Sequence, residues 1–194
     1  MKASFFKRLG AFLLDYFIVT FLLSLITIGF KTDSSLTKEA NDLINSYANE
    51  EISIDEYNER VVDINYRLQK GNVWVNGISC ALYLGYFVVF GYLNKGQTLG
   101  KKLFKIKVVK GENERVDLKG MILRSLFIYG IISTFYASIF VNLLDANKFN
   151  IGGTIISYIE YLFIVVSFFM ALYRKDKRGL HDMIANTSVV SEVK

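Results

Sequence analysis

In this chain the apolar residues are gathered into long runs instead of alternating with polar ones, and that distribution limits the fold most. A helix of a soluble domain carries one apolar stripe, whereas a helix that is apolar all round needs an apolar environment on every side. A hydrocarbon core of roughly 30 Å takes about 20 residues of helix. Four runs reach that length: Leu9 to Phe30, broken only by Asp15; Val73 to Leu93; Met121 to Leu144; and Thr154 to Tyr173. Trp74, Tyr92 and Tyr173 stand near run ends, where interfacial aromatic belts form. The 194 residues are 52% hydrophobic and include no proline, so no proline kink is expected. The expected fold is all-α: one polytopic membrane domain over residues 1–194 with four transmembrane helices.

Loop charges give the four runs a direction. Lys2, Lys7 and Arg8 precede the first run, Lys95, Lys101, Lys102, Lys105, Lys107, Lys110, Arg115 and Lys119 fill residues 94–120, and Arg174, Lys175, Lys177 and Arg178 follow the fourth. The short loop between the third and fourth runs has only Lys148. The positive-inside rule then predicts cytosolic termini and a cytosolic middle loop. The acidic segment Lys31 to Asn72, with Asp33 among its carboxylates, falls outside as an extracytoplasmic insertion. Leu36, Ala40, Leu43, Ile44 and Tyr47 recur at helical spacing there, and Ser53-Ile-Asp-Glu56 reads as a capping box, so a helical hairpin is predicted. In the middle loop, Leu103, Ile106, Val108 and Val109 form a β-favouring run, Gly111-Glu-Asn-Glu-Arg reads as a turn, and Asp117 is placed to cap the third helix.

The net charge of +5 fits loops held against anionic headgroups at the cytosolic face better than nucleic acid, given so apolar a chain. The basic start leads into an apolar run too long for a cleavable signal, and we read it as a retained first span. Cys80 is the one cysteine, so no intramolecular disulfide is available, and it reads as a small apolar filler. The expected location is the cell membrane, as a multi-pass protein.

Asp15 is the sharpest feature. It lies about six residues into the first run, roughly 9 Å below its basic end, where an ionised carboxylate must be paired or hydrated. It is either an ion- or proton-binding group or a packing contact. Arg8, two turns earlier, and Arg124, one turn into the third run, are both in reach. Arg124 is the expected partner, with Arg8 snorkelling to the headgroups. Glu160 is a second intramembrane acid, in the other half of the bilayer, flanked by Tyr158 and Tyr161. A hydrogen bond to a tyrosine or to Asn76 would hold it, or it extends a polar path from Asp15.

Gly96-Gln97-Thr98-Leu99-Gly100-Lys101 invites comparison with a phosphate-binding loop. The glycine spacing is one residue short, Lys102 stands where Ser or Thr is needed, and no helix is expected to follow. His181, the only histidine, cannot make a zinc site without further ligands. With Asp182 it forms a titratable couple, but no particular serine is marked as a nucleophile. No metal, cofactor or enzymatic activity is expected.

Taken together, these residues resemble the RDD family of small membrane proteins, named for one arginine and two aspartates. Arg8 matches the arginine and Asp15 the aspartate of the first helix. Gly96, Gln97, Thr98, Gly100 and Lys101, continuing to Val109, match the middle-loop motif, and Arg124-Ser125 matches the Arg-Ser of the third helix. Asp176 to Asp182, with His181, matches the tail motif, continuing to Thr187 and Val189-Val190. The second aspartate is matched by Asp182, with Asp176 the alternative. Asn186 stands where the family usually has glycine, which predicts a looser turn. The resemblance leaves out Lys31 to Asn72. It implies a largely uncharacterised function, with transport suggested and some members similar to sodium–proton antiporters.

Two function classes follow. The first is a transporter of small cations or protons, a homo-oligomer with Asp15 as the carrier group, tuned by Arg8 or Arg124 and extended by Glu160. The second is a non-catalytic scaffold or accessory subunit that binds a partner protein. A membrane enzyme built on His181 and Asp182 is the weakest reading.

Overall fold

The computed structural model describes residues 1–30, 34–111 and 114–192. Lys31 and Asp33 of the insertion, and Glu112 and Asn113 of the expected turn, lie outside the described residues. Helix α1 (Phe5–Thr27) opens where Ser4 accepts a hydrogen bond from the Lys7 N–H at 3.4 Å, an N-cap that satisfies one free donor. Helices α2 (Ser34–Ala48) and α3 (Ile54–Gly71) pack against each other through Tyr47 on Tyr57 and an Arg67–Glu39 ion pair. Ser53 caps α3 by accepting from the Glu56 N–H at 3.2 Å, as its sequence predicts.

A continuous helical run follows from Val73 to Leu93: α4 (Val73–Tyr83), a π-helical stretch (Leu84–Phe90) and α5 (Gly91–Leu93). The wider π turn places Tyr86, Phe87 and Val88 together in the interior, and such insertions occur often at functional sites. Cys80 is buried with Val88 and Met121, the filler role expected of it. Beyond α5 lie α6 (Leu99–Leu103), β1 (Ile106–Lys110), β2 (Glu114–Arg115), α7 (Leu118–Ser125), α8 (Ile131–Phe140), α9 (Ala146–Tyr173), α10 (Leu180–Ile184) and β3 (Thr187–Ser191).

Among the described residues three helical segments are long and apolar enough to cross a membrane: Phe5–Thr27, Val73–Leu93 and Ala146–Tyr173. The third expected span, Met121 to Leu144, is not one helix. Its chain leaves the helix after Ser125, turns through residues 126–130 and resumes at Ile131. Gly130 carries the break at φ +66, a left-handed conformation that costs glycine little because it lacks a Cβ. Asp117 does cap α7, accepting from the Gly120 N–H at 2.8 Å.

The all-α expectation also needs correction, because a three-stranded antiparallel sheet is present in the order β2-β1-β3. β1 is the β-favouring run of the middle loop. Its partner β3 comes from the tail, with Val108 opposite Val189. Residue Lys2 bridges Val190, and the Ala3 N–H donates to the Val189 carbonyl at 3.0 Å. The start of α1, the middle loop and the tail are therefore joined at one end of the helices, which we call the basic end. Ala3, Ala11, Ile106 and Val189 bury a small apolar core beneath the sheet.

Candidate functional site

At the basic end two fully buried aspartates, Asp15 and Asp182, anchor one polar cluster. Asp15 lies on α1 facing the Gly96–Lys101 motif. Its Oδ1 accepts from the Tyr86 hydroxyl at 2.6 Å and from the Gly100 N–H at 2.7 Å, and its Oδ2 accepts from the Thr98 hydroxyl. Lys101 Nζ lies 3.9 Å from Oδ2 and donates to Thr98 Oγ1 at 3.1 Å.

The glycines of the motif have steric reasons. Gly96 has φ +85, and a Cβ there would stand 2.2 Å from the Val108 carbonyl oxygen. A Cβ on Gly100 would stand 2.4 Å from the Ala11 carbonyl oxygen and 2.9 Å from Asp15. Glycine at 100 thus lets the loop backbone reach the carboxylate. Gln97 ties the loop to the sheet by donating to the Ile106 carbonyl at 3.0 Å. Contrary to expectation, a helix does begin within the motif, the short α6. Its first turn receives the protein's own carboxylate, Asp15, where a nucleotide phosphate would sit in a phosphate-binding loop.

The expected Asp15–Arg124 pair does not form. Arg124 instead pairs with Asp182 Oδ1 at 3.1 Å, and Arg8, its side chain largely buried, donates to Asp182 Oδ2. Asp182 also accepts from the Thr187 hydroxyl and the Gly179 N–H, each at 3.3 Å. Burial pushes the Asp182 carboxyl up, but the neighbouring Arg124 and Arg8 guanidiniums outweigh it and hold the group well below the usual carboxylate range. Asp176 lies apart, half-buried, and pairs with Arg174 at 2.8 Å, which holds its carboxyl low. Geometry therefore puts Asp182, not Asp176, in the cluster. Asn186, at φ +49, makes a left-handed turn before Thr187, a conformation that asparagine adopts more readily than most residues.

Lys101 is buried, and desolvation brings its pKa down to about 8 against the opposing pull of Asp15. His181 is held further from its ordinary value, at about 3, chiefly by burial. Its Nδ1 lies 2.5 Å from the Ser167 hydroxyl of α9, and its Nε2 lies 3.4 Å from Asp182. Ser167, His181 and Asp182 thus have the connectivity of a nucleophile, base and acid. The chemistry is poor, because a histidine with pKa about 3 is a weak base near neutral pH and Asp182 is already engaged by two arginines.

Beside the cluster lies a cavity of about 150 Å³, with Arg8, Lys101, Arg124 and His181 on its polar side. Phe5, Leu9, Phe12, Tyr129, Ile164 and Phe168 supply apolar wall. Glu160 is not part of this site. It lies elsewhere on α9, where its carboxylate accepts from the Ser133 hydroxyl and, at 3.3 Å, from the Ser133 N–H. Neither a tyrosine nor Asn76 holds it, and Asn76 donates instead to Gln69. The reason is the break at Gly130: a glycine N-cap has no side chain to satisfy the first N–H groups of α8, and Glu160 does so from the neighbouring helix.

A model of the RDD family matches residues 2–186. The chain belongs to the RDD family. The matched range takes in Arg8, Asp15, Arg124 and Asp182, the residues of the cluster. No curated protein and no solved structure gives a significant match. Sequence reasoning on this RDD chain missed Tyr86 and Ser167, which read as ordinary members of apolar runs. A hydroxyl in each run was the only available signal.

Proposed function

We propose that this RDD protein is a non-catalytic accessory subunit or scaffold of the cell membrane, whose motif residues lock four chain segments together at the basic end. The observation that carries the reading is that Asp15 and Asp182 are both fully buried and each of their oxygens already has a protein partner. A cation that bound either carboxylate would have to share or displace these protein donors. In this reading α7 and α8 together make a fourth crossing, and the basic end faces the cytosol. The α2–α3 pair then lies outside, and its exposed Ile44 and Ile54 offer contact to a partner protein.

Transport of small cations or protons is the second reading, favoured by the cavity that opens beside Lys101. A path would then form between subunits of a homo-oligomer, with Lys101 and Asp15 exchanging a proton. Proton-coupled flux in reconstituted vesicles separates the two. The lock reading expects flux no higher than in empty vesicles. Flux that disappears in a folded Asp15→Asn variant overturns it. Sidedness is tested in a Cys80→Ser background by labelling Asn49→Cys and Lys175→Cys from opposite faces with an impermeant thiol reagent.

A further inference from the structure

The cavity at the basic end has a charge imbalance that the protein does not resolve. Arg8, Lys101 and Arg124 bring three positive charges to the cluster, and Asp15 and Asp182 bring two negative ones. The neighbouring His181 is neutral near pH 7. Arg124 engages Asp182 and Thr187 through one nitrogen, Nη1, while its side chain also lines the cavity. A guanidinium fork has more donors than those two acceptors use. An excess positive charge in so dry a place is costly unless an anion meets it.

The rest of the cavity says what kind of anion. Its other walls are aromatic and aliphatic, contributed by α1, by residues 128 and 129, by α9 and, from the sheet, by Ile106 and Val189. Ile164 and Phe168 are 39% and 40% exposed, so the wall runs out onto the outer face of two helices that are apolar enough to lie in lipid. Phe5 and Phe168 meet edge to face at 4.9 Å where α1 and α9 approach. The volume of about 150 Å³ is below the roughly 300–1,000 Å³ of sites that enclose a whole small molecule. It suits a phosphate-sized group whose apolar remainder stays outside.

We propose that the cavity binds the headgroup phosphate of an anionic phospholipid, with Arg124, Lys101 and Arg8 facing the phosphate and the acyl chains lying along α1 and α9. The site holds one lipid at a fixed place on the protein, which diffuse attraction between loop lysines and headgroups does not do. Choline lipids fit poorly, because the same cations repel their ammonium group.

Native mass spectrometry of the full chain in mild detergent tests this, with dioleoyl phosphatidylglycerol, dioleoyl phosphatidylcholine and inorganic phosphate as probes. One phosphatidylglycerol is expected to bind several-fold more tightly than phosphatidylcholine. Lys101→Met should weaken that binding about fivefold, the effect of one basic charge at a headgroup. Ile164→Trp fills the cavity without touching a charge and should abolish the preference, so the proposal stays testable where Lys101→Met does not fold. Equal affinity for the two lipids overturns the proposal, as does phosphatidylglycerol binding that neither variant changes. Inorganic phosphate that stabilises the chain as much as phosphatidylglycerol overturns the lipid assignment in favour of a soluble anion.

Discussion

The basic end and the α2–α3 pair use the same chemistry in different surroundings. In both, an arginine reaches across from one helix to a carboxylate on another segment: Arg124 to Asp182, and Arg67 to Glu39. The Asp182 side chain is 0% exposed, whereas Arg67 and Glu39 are 40% and 38% exposed. Water can take over from either partner in the exposed pair, so losing one costs little. Inside the cluster, removing one partner strands the others, and the cost is that of an unpaired buried charge. Ion pairs of similar geometry therefore fix one region and merely decorate the other.

The strongest way to break this contrast is Asp182→Asn. It leaves Arg8 and Arg124 facing a neutral amide, and a loss of roughly 3–5 kcal/mol is expected from thermal unfolding in detergent. A loss no larger than that of an exposed pair would show that water reaches the cluster. Asp15→Asn should cost less, about 1.5–3 kcal/mol, because the amide keeps one acceptor but meets the Gly100 N–H with a donor if turned the wrong way. Melting measured beside Asp182→Asn gives the ranking.

Acid sharpens the comparison further. His181 binds its proton near pH 6.5 in the unfolded chain but only near pH 3 in the folded one. The unfolded state then holds more protons across that window, so stability rises with pH there and is lost on acidification from about 6.5 toward 3. His181→Asn should flatten that part of a melting-temperature profile, whereas variants of α2–α3 should leave it unchanged. Smallest of all is Arg67→Met, expected to lower the melting temperature least and to lose even that effect in high salt.

Much of this was visible in the residues, for identifiable reasons. Apolar runs report helices faithfully where nothing interrupts the backbone, as in α1 and α9. The third run misled because Gly130 sits among residues as apolar as any span, and hydropathy does not register a left-handed turn. The special status of Asp15 was legible from cost alone, since a buried carboxylate needs partners, whereas Asp182 was marked only by its histidine neighbour and by the family resemblance. Which partners was not legible. Counting depth along a helix placed Arg124 level with Asp15, yet the tail folds back and brings a second carboxylate closer. β3 was hidden for the same reason, because its partner strand lies nearly 80 residues earlier, in β1. Gly100 was recognisable as motif, while its reason, contact with the α1 backbone, exists only in three dimensions.

The distance along the chain between Arg8 and Asp182 has a consequence for biogenesis. They are 174 residues apart, and Arg124 comes between them. During synthesis both arginines enter the nascent protein well before their shared counter-ion exists, so the basic end cannot close until the tail has been translated and has folded back. Until then Arg8 and Arg124 lack the carboxylate that pairs them in the finished chain. A stop codon just before Asp182 would hold the protein in that open state, though every long apolar helix had already been made.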